Sequence, residues 1–367
     1  MIANARIAIV HEWWAKFGGS ESVVKSIAEI LPNADVFCLY IDSDASMYPI
    51  QNRIYESWLK KLPFHENRRI SAALSIASFR TLSLKTYDLI LSSSHTFAHT
   101  AKFLRSRDAT YLSYIHTPSR ALWLKEIDSR ADVIGLDLIR PVLKTLDKRL
   151  GRHVKSLAVN SHSVKKRVKD FWDQESVVIH PPVDLNFLSF SLTDDLELFP
   201  FAKGEYLVTA GRFVSYKKHN FSMQVAESLK MPIVVMGSGP EEYYLRKFAE
   251  SIKTNVHFEI APDRARWLRI LKNANSMIFP PHEDFGITPI EAMGLGTPVL
   301  ALAAGGALDF VRQGVNGVLS YSLDVRSFCE QFDSISKLKT HDVIDSVAIF
   351  KKEVFQNHMV NWIQSNF

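Results

Sequence analysis

Short apolar runs alternate with amphipathic stretches along the whole chain, and the series starts twice. Arg6–Val10, Val36–Ile41, Leu89–Ser92, Thr110–Ile115, Leu157–Asn160 and Val177–Ile179 form the first set. Tyr206–Ala210, Ile233–Met236, Val256–Phe258, Ser276–Phe279 and Val299–Ala301 form the second. Few of these runs interleave polar residues, so each is expected to be a strand buried on both faces, as in a parallel sheet. Helical periodicity fills the gaps: Val23, Val24, Ile27, Ile30 and Leu31 share one face of Ser20–Leu31, and Ser161–Phe171, Phe221–Leu229 and Pro289–Leu295 repeat the pattern. Strand–helix alternation predicts a doubly wound α/β fold. Two starts predict two such sheets, which suits 367 residues at roughly 100–200 residues per domain.

Between the starts lies His180-Pro181-Pro182-Val183-Asp184, whose paired prolines break any helix. The boundary is therefore expected at 182/183, with domains at 1–182 and 183–347. The C-terminal stretch places Phe350, Val354, Met359, Val360 and Ile363 at helical spacing, which predicts a helix over about 348–367. Cys38 and Cys329 are the only cysteines, which excludes a disulfide scaffold and favours a reducing compartment. The N-terminus lacks the basic leader and long apolar run of a signal peptide. No stretch reaches the ~18–20 apolar residues of a membrane span. The expected location is cytoplasmic.

Charge is uneven. Between Arg53 and Arg107, ten basic residues (Arg53, Lys60, Lys61, Arg68, Arg69, Arg80, Lys85, Lys102, Arg105, Arg107) face only Glu56, Glu66 and Asp88. That local excess of seven exceeds the net charge of the whole chain, +5. It suits an anionic partner. With Trp58, Leu59 and Phe64 among the cations, the segment fits peripheral docking on an anionic inner membrane; an amphipathic core helix with a wet face is the equal alternative.

The segment richest in chemistry is His282-Glu283-Asp284-Phe285-Gly286-Ile287-Thr288-Pro289-Ile290-Glu291-Ala292-Met293. It follows a buried run and opens a helix, with Thr288 expected as N-cap and Pro289 in the first helical position. A helix start exposes backbone N–H groups that attract phosphate, and Gly286 lets the backbone come close to a ligand. Glu283 and Glu291, with seven residues between them, can bind hydroxyl groups on either side of that phosphate. The alternatives are a solvated loop charge for Glu283 and a capping box with Thr288 for Glu291.

This Glu-x7-Glu segment, with Phe-Gly inside it and Glu-Ala-Met at its end, resembles the donor-site signature of the retaining glycosyltransferases of family 4. Further motifs follow in that family's order: Gly18-Gly19-Ser20-Glu21, Tyr114-Ile115-His116-Thr117-Pro118, Asn160-Ser161, the His180–Asp184 linker, Gly211-Arg212 with Lys217 five residues on, and Gly237-Ser238-Gly239-Pro240. The resemblance covers about Ile7 to Asn316. It implies the GT-B architecture, two Rossmann-like doubly wound domains with a cleft between them. It also implies roles. Arg212 and Lys217 would neutralise the donor diphosphate without a metal or other cofactor. Glu283 would hold the donor sugar, with backbone N–H groups of Phe285, Gly286 and Ile287 on sugar and phosphate and Glu291 on the ribose. Gly18, Gly19 and Gly237 would let backbone approach the donor, and His116 would contact the sugar near its anomeric carbon. Arg120 is a candidate for an anionic acceptor. The N-terminal domain would take the acceptor and the C-terminal domain the nucleotide sugar, with the last helix packing back on the former.

The reaction implied is transfer of a sugar from a nucleoside diphosphate to a hydroxyl of a glycan or lipid-linked glycan, with anomeric configuration retained. Glu283-Asp284-Phe285-Gly286 replaces the Glu-Gly-Phe-Gly of many members. This variant resembles mannosyl- and rhamnosyltransferases of bacterial surface polysaccharide and lipopolysaccharide assembly. A GT-B-fold nucleotide-sugar epimerase is the enzymatic alternative. A nucleic-acid-binding protein using the basic segment lacks a recognition signature, so no nucleic-acid partner is expected. Asp42-Ser43-Asp44 matches a metal-binding Asp-x-Asp pattern but is expected to be a solvated loop end. The missing Gly-x4-Gly-Lys-Ser/Thr and the unpaired histidine spacing argue against an ATPase and a zinc enzyme.

Overall fold

The computed structural model describes residues 4–15, 18–43, 50–101, 109–124, 136–185 and 199–367. Lys102, Arg105, Arg107 and Asp44 of the sequence analysis lie outside them, as does the side chain of Arg69. The chain divides into two compact units, Met1–Pro182 with Lys352–Phe367, and Val183–Lys351.

The first unit is built on seven strands: β1 Ile7–His11, β2 Asp35–Cys38, β3 Ile54–Glu56, β4 Leu89–Ser94, β5 Thr110–Ile115, β6 Ser156–Val159 and β7 Val177–Val178. They pair in the order β3-β2-β1-β4-β5-β6-β7. The second unit holds β8 Leu207–Ala210, β9 Ile233–Gly237, β10 Val256–Ile260, β11 Ser276–Phe279, β12 Val299–Leu302 and β13 Gly317–Ser320, ordered β10-β9-β8-β11-β12-β13. Every strand pair is parallel. Both sheets therefore contain the Rossmann order 3-2-1-4-5-6 from their own first strand, with β7 added at the end of the first sheet, and each reverses direction beside that strand.

The unbroken apolar runs have a direct cause. In β1, Ala8 and Val10 enter one apolar layer while Ile7 and Ile9 enter the layer on the opposite face. In β8, Val208 and Ala210 face one layer and Leu207 the other. A strand covered on both faces has no position left for alternating polar residues.

Two strands have no counterpart among the sequence expectations. β3 is a three-residue edge strand, and β13 opens on a glycine at the other sheet's edge. Thr340–Asp345 is a separate helix ahead of the expected one, Ala348–Phe350 is a 3-10 turn, and the helix expected over about 348–367 spans Lys352–Asn366. Its Phe355, Met359, Trp362 and Ile363 join Val23, Val24 and Ile27 of the helix Gly19–Ile30 in one apolar layer of the first unit. Each such side chain removed from water contributes roughly 1.5–3 kcal/mol. Trp362 Nε1 also donates to Ser156 Oγ at 3.0 Å, and Gln356 Nε2 donates to Glu29 Oε2 at 2.9 Å.

Candidate donor site and the switch points of the two sheets

In a doubly wound sheet, ligands collect beyond the carboxyl ends of the strands where the order reverses. In the second unit that point lies between β8 and β11. Gly211 and Arg212 follow β8, and the Glu283 loop follows β11. Four of the sequence-nominated residues, Gly211, Lys217, Gly237 and Glu283, meet here. The Lys217 ammonium rests on Glu283 Oε1, with both side chains largely buried at 17% and 15% exposure. Lys217 Nζ lies 3.4 Å from where a Cβ on Gly211 would stand. Lys217 is thus no solvated turn residue. Arg212 is exposed, while its backbone carbonyl is tied to the buried His219 Nε2 at 3.2 Å.

Glycines make this edge possible. A Cβ on Gly237 (φ +143°) would lie 1.9 Å from the Gly211 carbonyl oxygen, so the β8 and β9 loops touch backbone to backbone. A second pair went unrecognised in the sequence. Gly306 donates its N–H to the Glu283 carbonyl at 2.9 Å, and a Cβ on Gly305 (φ +62°) would stand 2.0 Å from that same oxygen. Gly305 and Gly306 therefore press the loop after β12 against the Glu283 loop.

The helix after that loop starts differently from the expectation. It spans Ile287–Gly294, and its N-cap is Gly286 at φ +120° rather than Thr288. Thr288 and Pro289 fall inside the first turn, so the capping box with Glu291 does not form. The left-handed backbone at Gly286 is open to glycine at no steric cost, and the first turn leaves N–H groups without intrahelical partners. The Phe285 side chain is core, edge-on to Phe310 and Phe350. Glu291 is buried and accepts from Arg264 at 2.7 Å. Burial pushes its carboxyl above the usual range, against the pull of Arg264.

In the first unit the order reverses between β1 and β4. Gly18 is the N-cap of Gly19–Ile30 in extended conformation, and a Cβ there would lie 1.9 Å from Glu21 Oε2. His116 follows β5; its N–H donates to the Ser94 carbonyl and its Nε2 is 2.8 Å from Ser93 Oγ. Arg120 opens the short helix Arg120–Trp123. Asp42 is corrected: it is paired with Arg68, whose guanidinium also lies 4.6 Å over the Trp13 ring.

One buried acid escaped sequence reasoning. Glu12 is fully buried. Its Oε1 accepts from Ser94 Oγ and from the backbone N–H groups of His95, Thr96, Phe97 and Ala98, at 2.8–3.1 Å. Burial alone would raise its pKa; His95, His11 and the N–H groups outweigh that and hold it down to about 2. His11, Glu12 and His95 bring one ligand-capable atom each to within 4.8 Å of one another. That donor set has the chemistry to hold a divalent cation.

Residues 17–187 match the family model Glycosyltransferase Family 4, and residues 196–347 match Glycosyl transferases group 1. The chain belongs to glycosyltransferase family 4 and has the GT-B fold. Among curated members, D-inositol 3-phosphate glycosyltransferase of Mycobacterium sp. (strain JLS) is 28% identical over 173 residues, covering 43% of this chain and 38% of that protein. Alpha-1,3/1,6-mannosyltransferase alg-2 of Neurospora crassa is 24% identical over 225 residues, 49% of this chain and 48% of that one. The family-4 chain thus spans less than half the length of either relative. Anabaena HepE, solved in complex with UDP and glucose, superposes with a TM-score of 0.70 over 99% of this chain and 100% of its own. At 14% identity, that likeness speaks to the fold.

Proposed function

We propose that this family-4 chain is a retaining glycosyltransferase that moves a hexose, with mannose or rhamnose as the leading donors, from a nucleoside diphosphate to a hydroxyl of a surface-polysaccharide or lipid-linked glycan. The observation that carries this reading is the Lys217–Glu283 pair at the switch point of the second sheet, beside Gly211 and a glycine-capped helix start. Cleaving the sugar–phosphate bond builds negative charge on the leaving diphosphate. Arg212 and Lys217 stabilise that charge without a metal. Glu283 takes the sugar hydroxyls and Glu291 the ribose, with His116 near the anomeric carbon. Glu283 and Glu291 are both engaged by cations, so neither is offered as a covalent nucleophile. The acceptor oxygen attacks from the face the diphosphate leaves, the bonding pair departs with the phosphate, and that phosphate takes the acceptor's proton. The named relatives, an inositol phosphate glycosyltransferase and a mannosyltransferase, fit this chemistry.

A thermal-shift screen of nucleotide sugars tests the reading. The true donor at about a hundred times its Kd is expected to stabilise the fold by about 2.7 kcal/mol, and NMR of the product is expected to show retained configuration. No stabilising donor, or inverted product, defeats it.

Membrane docking belongs to the same proposal. Among the described residues no helix is long and apolar enough to cross a membrane. Tyr55, Trp58 and Phe64 are 42%, 39% and 49% exposed, with exposed Arg53 and Lys61 nearby in sequence. Arg53 is paired with Asp35 at 3.2 Å and Lys60 with Glu56 at 2.7 Å. Phosphatidylglycerol vesicles are expected to sediment the protein at low salt, and Trp58→Ala with Phe64→Ser is expected to abolish this. Failure of the native chain to sediment removes the docking idea.

A further inference from the structure

The switch point of the first sheet carries chemistry that the donor chemistry above does not use. β1 pairs with β2 on one side and β4 on the other, and the residues just beyond β1 and β4 are Glu12 and His95. One oxygen of Glu12 is locked by five donors. The other, Oε2, is buried, has no hydrogen-bond partner and lies 3.2 Å from His95 Nδ1. A carboxylate anchored on one oxygen and turned to an imidazole with the other sets that ring's tautomer and orientation. The Glu12 charge beside Nδ1 favours the tautomer with its proton there, which leaves Nε2 to accept. The His95 side chain retains 23% exposure, stands edge-on to Trp13 at 4.9 Å, and has its ring centre 6.3 Å from that of His116. Burial lowers its pKa below the ordinary histidine value, so the ring is neutral near pH 7.

We propose that His95 binds the acceptor substrate: its Nε2 accepts a hydrogen bond from a sugar hydroxyl adjoining the one that reacts, and Glu12 is the positioning residue that fixes the ring. The inference rests on the glycosyltransferase reading. The diphosphate and donor-sugar ligands Arg212, Lys217 and Glu283 lie in the second unit, whereas Glu12 and His95 lie in the first, the proposed acceptor domain. The reacting hydroxyl gives its only proton to the leaving phosphate, so His95 orients the acceptor and takes no proton from it.

The test uses the full chain with the donor found by thermal shift and an acceptor that the native enzyme glycosylates. His95→Gln is expected to raise the acceptor KM about tenfold or more, the loss of roughly 1.5 kcal/mol of hydrogen bonding, with the donor KM within twofold of native. Glu12→Gln is expected to raise the acceptor KM in the same direction, with the donor KM again within twofold of native. An unchanged acceptor KM in folded His95→Gln overturns the proposal while transfer by the native chain upholds the broader reading. Activity lost to EDTA and restored by Zn2+ also overturns it, because His11, Glu12 and His95 would then be metal ligands. A native chain inert toward every donor defeats both.

Discussion

Lys217→Ala is expected to lower kcat/KM for sugar transfer about 10²–10³-fold, roughly 2.7–4 kcal/mol of transition-state stabilisation. The Lys217 ammonium rests on Glu283. A donor diphosphate is expected to draw it away and so release Glu283 for the sugar. The two residues are thus exchanged from each other to the two halves of one substrate, which gives their variants different signatures. Lys217→Ala loses phosphate affinity and turnover together. Glu283→Ala loses turnover but leaves Lys217 unpaired, so affinity for the nucleoside diphosphate alone is expected to hold or rise. Lys217→Arg is expected to rescue poorly, because a planar fork does not replace a compact ammonium beside Gly211. Steady-state kinetics with nucleotide titration reads these outcomes. Near-normal turnover in both alanine variants overturns the site assignment.

The frame that holds this pair was legible because parallel strands buried on both faces are unbroken in sequence. All eleven apolar runs lie on strands of the two sheets. β3 and β13 escaped because both are short edge strands: the part-exposed Ile54–Glu56 reads as any polar loop, and the buried Gly317–Ser320 opens on a glycine. Thr288 was misplaced as a cap because propensity favours a hydroxyl there, while the actual cap, Gly286, is chosen by a backbone angle no composition rule reveals. Gly305 and Gly306 stand among small residues, Ala303-Ala304-Gly305-Gly306-Ala307, that carry no signal of their own. Their use appears only when the β12 loop meets the Glu283 carbonyl. Glu12 was least legible of all. An acid in His11-Glu12-Trp13-Trp14 reads as solvated, and its partners Ser94 to Ala98 stand more than eighty residues away.

That distance is why Glu12→Ala is expected to be among the most destabilising polar substitutions in the chain. It strands four backbone N–H groups and a serine hydroxyl in a buried place. Removing one partner of a buried charged network costs about 3–5 kcal/mol, a large fraction of a typical 5–15 kcal/mol total. The network extends further. Ser94 Oγ is 3.2 Å from His99 Nδ1, His99 Nε2 is 3.0 Å from Asp147 Oδ1, and Asp147 Oδ2 accepts from the indoles of Trp123 and Trp172 at 2.7 Å. Loss of Glu12 therefore loosens β4 and the helix Leu136–Gly151 together. Glu12→Gln keeps a carbonyl for the N–H groups and is expected to cost less. Acid supplies the signature. The Glu12 pKa is about 2 when folded, against an ordinary 4.5. A depressed folded pKa gives stability that is complete above the unfolded value and fades as pH falls from about 4.5 toward 2; at full strength it is on the order of 3 kcal/mol. The stability gap between native and Glu12→Ala, measured by denaturant unfolding, should thus be wide at pH 7 and narrow by pH 3. A gap that stays constant across that range would mean the carboxylate's charge contributes nothing and only its shape fills the space.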